Sequence, residues 1–321
     1  MPKRPRPSRP VRPEAEPTPA MPEFRTGLIA LVGRPNVGKS TLINSLVGQR
    51  VSITSRKAQT TRHRVRGVLT RLDAQYIFVD TPGLQWQRRS LLSERMNAQA
   101  VSAIGEVDVV ALVIDAHGWR PEDEQILGLL PTGSGSCSGV VLVINKTDQL
   151  RTRDALLPLI EQSRHRYPFA AIVPVSADRG HQLEDFLTVL RAQLPVGEPL
   201  FEQDRITDRS VRFLAGELIR EKAIRLLGDE IPYGLAITIE QWTESEGRAV
   251  IGATIWVERE SHRGIVFGAG GSKLQEIGRS ARLDIQRLLD KPLHLDLHVK
   301  VCQRWRNDAA GLARVGYGLQ E

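Results

Sequence analysis

Gly33-Arg34-Pro35-Asn36-Val37-Gly38-Lys39-Ser40 is the stretch on which the fold turns. An apolar run from Gly27 to Val32 precedes it and reads as a buried parallel strand. Thr41 to Val47 follows, with Leu42 and Leu46 at helical spacing, so the pattern is strand, glycine loop, Lys-Ser, helix. That order predicts a phosphate-binding loop. Gly33 and Gly38 let the chain turn back so that successive N–H groups face a polyanion. A helix beginning near Lys39 adds its positive dipole end, Lys39 reaches the β- and γ-phosphates, and the Ser40 hydroxyl suits Mg²⁺. A chance glycine-rich turn is the alternative, and the flanking strand and helix argue against it.

Downstream, Gln49 to Arg66 carries six basic residues and no acid, and contains Gln59-Thr60-Thr61-Arg62. A threonine some twenty residues after such a loop is where a switch segment closes on Mg²⁺ and the γ-phosphate, which assigns Thr61. A solvated basic loop is the plainer alternative. Ala74 to Val79 reads as a strand ending in Asp80-Thr81-Pro82-Gly83. An aspartate there can hold the magnesium hydration shell, and the Gly83 N–H can bond a γ-phosphate oxygen. The pattern then alternates: a helix over Ser90–Gly105, a strand over Val107–Ile114, a helix over Pro121–Leu130 and a strand over Val140–Ile144. Residues 131–139 read as a flexible loop without assignable chemistry. The strand ends at Asn145-Lys146-Thr147-Asp148. Asp148 can accept from guanine N1–H and the exocyclic amine, Asn145 suits the opposite edge and neighbouring loops, and the Lys146 stem packs on the ring. A last strand, Ile172–Val175, delivers Ser176-Ala177, whose Ala177 N–H is expected at the base O6, before a helix over Leu183–Leu194. These elements, each at a strand end, predict a doubly wound α/β domain that binds GTP and transfers its phosphoryl group to water. The residue after Gly83 is Leu84, which can neither donate nor accept, so water must be positioned without a glutamine there.

Composition sets the limits. The 321 residues suffice for two domains, no apolar run approaches a membrane span, and no signal-peptide core stands near the start. Two cysteines, Cys137 and Cys302, form no disulfide or metal framework, which favours a reducing cytoplasm. The net charge of +7 invites nucleic acid as a partner. That excess sits early: residues 1–25 carry 6 basic and 3 acidic side chains, residues 26–199 carry 20 and 16, and residues 200–321 carry 18 of each. An RNA site in the last part must come from local pattern. Residues 1–22 hold eight prolines, which block helix and sheet, so 1–25 reads as a disordered Pro/Arg-rich tail.

The expected division is a nucleotide domain over 26–195, a linker over 196–204 around Pro195 to Pro199, and a second domain over 205–321. Asp208 is expected to start an amphipathic helix, with Val211, Leu214, Leu218, Ile219, Ala223 and Leu226 on one face and Gly228 as its stop. Leu235–Gln241 and Val250–Glu258 read as an antiparallel pair, and a final strand covers His294–Val301. Between them, Gly268-Ala269-Gly270-Gly271 lies in a glycine turn between helices, followed by Ser272 and Lys273. A GXXG turn in that setting clamps the backbone of unpaired nucleotides, because a Cβ would block approaching phosphates. The second unit is thus an α+β type II KH domain. Trp242, Trp256 and Trp305 read as core or edge packing rather than stacking platforms.

With GRPNVGKS, QTTR, DTPG, NKTD and SA in the first part, and GIVFGAGG, SKLQEIG and Trp305-Arg306-Asn307-Asp308 in the second, residues 26–318 resemble the bacterial Era GTPases. The resemblance implies an RNA-binding GTPase that recognises the 3′ end of 16S ribosomal RNA and assists 30S subunit assembly. It also implies a cytoplasmic location with peripheral association at the inner membrane. Asn36 is a candidate ligand for K⁺, a feature of potassium-activated GTPases that this domain resembles. Ala269 departs from the basic residue usual at its position, and the proline-rich tail lies outside the family pattern. Two other functions compete: a nucleotide-gated RNA chaperone with negligible turnover, and a tRNA-modification GTPase.

Overall fold

The computed structural model describes residues 23–55, 57, 60–84, 90–131, 139–228 and 231–318. The proline-rich stretch 1–22, Arg56, Gln59 and most of the 131–139 loop lie outside the described residues. In chain order the first part forms β1 (Arg25–Val32), α1 (Lys39–Val47), β2 (Val65–Thr70), β3 (Ala74–Asp80), α2 (Leu91–Gly105), β4 (Val109–Asp115), α3 (Pro121–Leu127), β5 (Gly139–Asn145), α4 (Leu156–Arg164), β6 (Ala171–Pro174) and α5 (Leu183–Gln193). The second part forms α6 (Val211–Leu226), β7 (Ala236–Glu244), β8 (Ala249–Val257), α7 (Glu260–Phe267), α8 (Ser272–Leu289), β9 (Leu293–Val301) and α9 (Ala309–Arg314).

Among the described residues, six strands form one sheet in the order β2-β3-β1-β4-β5-β6. Every neighbouring pair is parallel except β2 with β3. A parallel sheet needs helices on both faces, so its strands are mostly apolar. β3 and β4 are buried at every residue. One face packs Leu42, Leu46, Phe186 and Leu190 of α1 and α5, and the other packs Ala100, Ile104, Ile126 and Leu159 of α2, α3 and α4. Each Leu, Ile or Phe among them contributes about 1.5–3 kcal/mol on burial. The C-terminal ends of β1, β3, β5 and β6 therefore emerge on one rigid rim, and that rim carries the expected nucleotide residues. β2 and α4 have no counterpart in the sequence pattern. β2 begins inside the basic segment, with Arg66 half-exposed between buried Val65 and Gly67. In α4, Pro158 looks like a breaker but stands in the first turn, where its missing N–H has no helical partner to lose.

Several boundaries shift for physical reasons. Arg25, expected in the tail, opens β1, pairs with Ala74 of β3 and donates to Leu194 O at 2.5 Å. The third helix ends at Leu127 with Gly128 as its cap, short of the expected Leu130. Asp208 does not start α6: the cap is Ser210, whose Oγ accepts from Phe213 N at 3.2 Å. Asp208 instead accepts from Arg66 N of β2 at 3.0 Å. The segment around 196–204 is pinned to the sheet. Buried Gln75 accepts from Leu200 N and Phe201 N at 2.8 and 2.9 Å and donates to Phe201 O at 2.8 Å.

The second unit is a three-stranded sheet, β7-β8-β9, with β7 antiparallel and β9 parallel to β8. α6 and α8 cover one face through Ala215, Ile219, Ala281 and Ile285. A separate cluster joins Leu92 and Met96 of α2 to Trp305, Leu312 and Tyr317, so the two units share apolar core. Trp305 is fully buried, and Trp256 Nε1 donates to Thr238 Oγ1 at 2.8 Å across the sheet.

Candidate nucleotide and RNA sites

The loop after β1 turns through Gly38 at φ 99°, a left-handed conformation in which any Cβ would also meet Asn145 Nδ2 at 2.3 Å. Glycine there lets the phosphate loop and the end of β5 touch. Asn145 uses the contact: its Nδ2 donates to Val37 O at 2.8 Å, while its Oδ1 accepts from Lys146 N at 2.8 Å and Ala177 N at 3.0 Å. One buried amide thus locks three loops. The Ala177 N–H, expected at the base O6, is engaged with Asn145 instead.

Lys39 is buried, and its ammonium donates to Gly33 O at 2.8 Å and Arg34 O at 3.1 Å. Burial drives its pKa down to about 8, against the pull of Asp80. Arg34 turns away from the loop to Asp123 at the start of α3, 3.2 Å away. Ser40, Thr61 and Asp80 come together from α1, the switch segment and β3. Asp80 Oδ2 accepts from Ser40 Oγ at 2.8 Å, Ser52 Oγ at 2.6 Å and Thr61 Oγ1 at 3.1 Å, and the Ser40 and Thr61 hydroxyls lie 2.9 Å apart. Asp80 Oδ1 is buried with no hydrogen-bond partner, and burial pushes the carboxyl pKa up. A hard divalent cation suits hydroxyl and carboxylate oxygens with an unsatisfied lone pair beside them.

Thr81 Oγ1 donates to Leu31 O at 2.7 Å, fixing the chain as it leaves β3, and Pro82 is buried. Gly83 abuts the phosphate loop so closely that a Cβ would lie 2.9 Å from Pro35 N. Leu84 is 3% exposed and packs with Val32, Val79 and Ala100. Its side chain belongs to the core.

At the end of the cleft beyond β5, Ser176 Oγ donates to Asp148 Oδ1, and Thr147 Oγ1 donates to Val175 O at 3.0 Å. Lys146, at φ 65°, reaches Asp115 at 2.8 Å. Burial raises the Asp115 pKa, but the hydrogen bonds from Lys146 and His117 win and hold it at about 2. Asn36, Gly38, Thr41, Asn145, Asp148 and Ala177 line a cleft of about 830 Å³. Arg225 of α6 lines it too, donating to Thr54 O and Oγ1 at 3.1 Å. Local pattern could not reveal a residue reaching across units, since Arg225 reads only as the exposed side of a helix.

The GXXG turn lies on the second unit, between α7 and α8. Gly268, Gly270 and Gly271 all have positive φ, at 73°, 59° and 83°. A Cβ on Gly268 would stand 2.9 Å from Lys273 N. Ile265 and Phe267 are about half exposed beside the turn, and Lys273 pairs with Glu276 at 2.7 Å.

Residues 28–146 match the 50S ribosome-binding GTPase family, and residues 230–306 match the KH domain. The GTPase Era of Bordetella avium is 49% identical over 92% of this chain and 98% of its own length. A variant of Aquifex aeolicus Era bound to GDP and AlF₄⁻ superposes with a TM-score of 0.88 at 40% identity, over 92% of this chain and 100% of that one. An Era structure with MgGDPNP and nucleotides 1506–1542 of 16S ribosomal RNA matches with the same score, identity and coverage. The two-part architecture, the gathered loop residues and these likenesses agree: the chain is a GTP-hydrolysing protein of the bacterial Era family.

Proposed function

We propose that the protein binds GTP with Mg²⁺ in the cleft at the sheet rim, hydrolyses it, and binds the 3′ end of 16S ribosomal RNA through the GXXG turn in assisting 30S assembly. The observation that carries the nucleotide half is the meeting of Ser40, Thr61 and Asp80 beside Lys39. Ser40 and Thr61 would hold Mg²⁺ directly, and Asp80 its hydration shell; when bound, the ion neutralises charge on the β- and γ-phosphate oxygens. Lys39 regains its full charge against the triphosphate, and the Gly83 N–H meets the γ-phosphate. Asp148 reads the guanine edge, held by Ser176. Because Leu84 is committed to the core, the attacking water is oriented by backbone and by the switch segment. Asn36, at φ 65° in the phosphate loop, supplies an oxygen suited to K⁺, which would offset developing charge there.

For the RNA half, the glycine turn admits phosphates to the main chain, and Ile265 and Phe267 offer apolar surface to unstacked bases. The 16S fragment bound to an Era relative at 40% identity supports that choice of RNA. We place the protein in the cytoplasm, with peripheral inner-membrane contact following from the resemblance; among the described residues no helix is long and apolar enough to cross a membrane.

One experiment tests the site: GTP turnover titrated with Mg²⁺ in potassium and in sodium. Ser40→Ala should raise the Mg²⁺ needed for half-maximal turnover at least about tenfold. Potassium should accelerate the wild type over sodium, and Asn36→Ala should erase the difference. Wild-type magnesium dependence in Ser40→Ala would show the metal set to be wrong, and equal wild-type rates in both salts would remove the role of K⁺.

A further inference from the structure

The segment that carries Thr61 is held from the second unit. Among the described residues, four side chains bridge it. Lys57 Nζ donates to Leu227 O at 2.5 Å, Arg225 donates to Thr54 O, Arg220 Nη2 donates to Thr60 O, and Arg62 donates to Leu235 O at 2.6 Å and Tyr233 O at 3.2 Å. Arg225 is about half exposed, and a solvated tie of that kind contributes little. Arg220 and Arg62 differ, at 1% and 2% exposure. Arg220 is fixed by its own helix: Nε and Nη2 meet the two Glu217 oxygens at 2.8 and 2.6 Å, a planar fork that leaves the guanidinium one orientation. In that orientation Nη2 reaches the Thr60 carbonyl.

We propose that Arg220 is a positioning residue for GTP hydrolysis, holding the Thr60 carbonyl so that the next residue, Thr61, presents its hydroxyl at the Ser40–Asp80 set. The proposal rests on the assignment of that set to Mg²⁺ and the γ-phosphate. A free segment must be ordered each time GTP binds, and that ordering is unfavourable. With Thr60 gripped on one side of Thr61 and Arg62 plugged into Tyr233 and Leu235 on the other, the hydroxyl is placed beforehand. The RNA-binding unit thereby completes the catalytic site of the other unit. Its action is specific to the triphosphate, since GDP has no γ-phosphate for the segment to close on.

The test compares Arg220→Gln, Arg220→Lys and the double variant Glu217→Gln/Arg220→Gln. The double variant removes the pair together, so neither Arg220 nor Glu217 is left without its partner. In the double variant kcat should fall at least about tenfold and the Mg²⁺ for half-maximal turnover should rise severalfold, while GDP affinity stays within about twofold. Arg220→Lys keeps the charge on Glu217 but loses the fork, so melting temperature recovers and turnover stays low. A double variant folded by circular dichroism with wild-type kcat and magnesium dependence overturns the proposal, as does an equal loss of GDP affinity. Ser40→Ala runs alongside. If its Mg²⁺ requirement rises while the Arg220 variants keep the wild-type requirement, the grip is wrong and the site stands; if it too behaves as wild type, the site is misplaced and the proposal falls with it.

Discussion

At the scale of single residues, the rim of the sheet holds both exposed side chains and side chains already committed to neighbouring loops. Asn145 has its oxygen and amide committed to Val37, Lys146 and Ala177, so its work is to join loops. Asp148 is exposed in the cleft and steadied by the Ser176 hydroxyl on Oδ1. An amide in its place keeps one acceptor for Ser176 and turns the other position into a donor. Guanine presents two donors there; xanthine presents a carbonyl in place of the amine. In Asp148→Asn, GTP affinity should therefore fall at least about tenfold, or 1.4 kcal/mol, and xanthosine triphosphate should become the preferred ligand. Competition between the two nucleotides against a fluorescent analogue measures this, and a variant still preferring GTP would mean that another residue reads the base.

At the scale of elements, the helix–turn–helix around Gly268 shows how much backbone a short stretch can specify. Three positive φ values in four residues are available because three of the four are glycine, and Ala269 takes the remaining place. Gly270 has open space around its missing Cβ, and aspartate and asparagine tolerate its left-handed φ better than other residues. Ala269→Asp/Gly270→Asp should lower affinity for the 16S 3′ end at least about tenfold without changing nucleotide affinity. The matching double asparagine variant carries the same backbone strain without charge and should bind far better. Ala269→Lys should steepen the salt dependence by about one phosphate contact. Labelled RNA titrated at several salt concentrations reads all three; double aspartate binding like wild type would leave the turn a mere connector. This turn and the strand-end loops were legible in the sequence because each pairs a special backbone need with an unbroken apolar run. β2 was hidden by Arg66 inside a basic stretch, and α4 by Pro158. Arg220 could not be read as buried, because what covers it is another unit, and helical periodicity reports only the face turned to its own core.

At the scale of the whole molecule, the two units meet around Arg62, His63, Trp305 and Tyr317. The Arg62 guanidinium lies 5.9 Å from the Trp305 ring and 5.8 Å from the Tyr317 ring. His63 stacks on Tyr317 with centroids 4.7 Å apart and rings 8° from parallel, and meets Phe213 edge-on. Burial pushes the His63 pKa from 6.5 down to about 4; Glu217 pulls it up, while Arg220, Arg209 and Arg62 press it further down. The unfolded chain therefore takes up a proton between pH 6.5 and 4 that the folded chain refuses, so stability is lost as pH falls through that window. The full loss is up to about 3 kcal/mol, concentrated at the contact between units. Carboxylates titrate at the lower end too, so the measurement must be a difference. His63→Phe keeps a ring between Tyr317 and Phe213 and removes the titrating nitrogens. The melting temperature of the wild type should fall away from that of His63→Phe as pH drops from 7 to about 4.5, and the two should run parallel above pH 7. A constant gap across the whole range would mean that His63 is neutral to the contact, and that the acid sensitivity of this interface lies with its carboxylates.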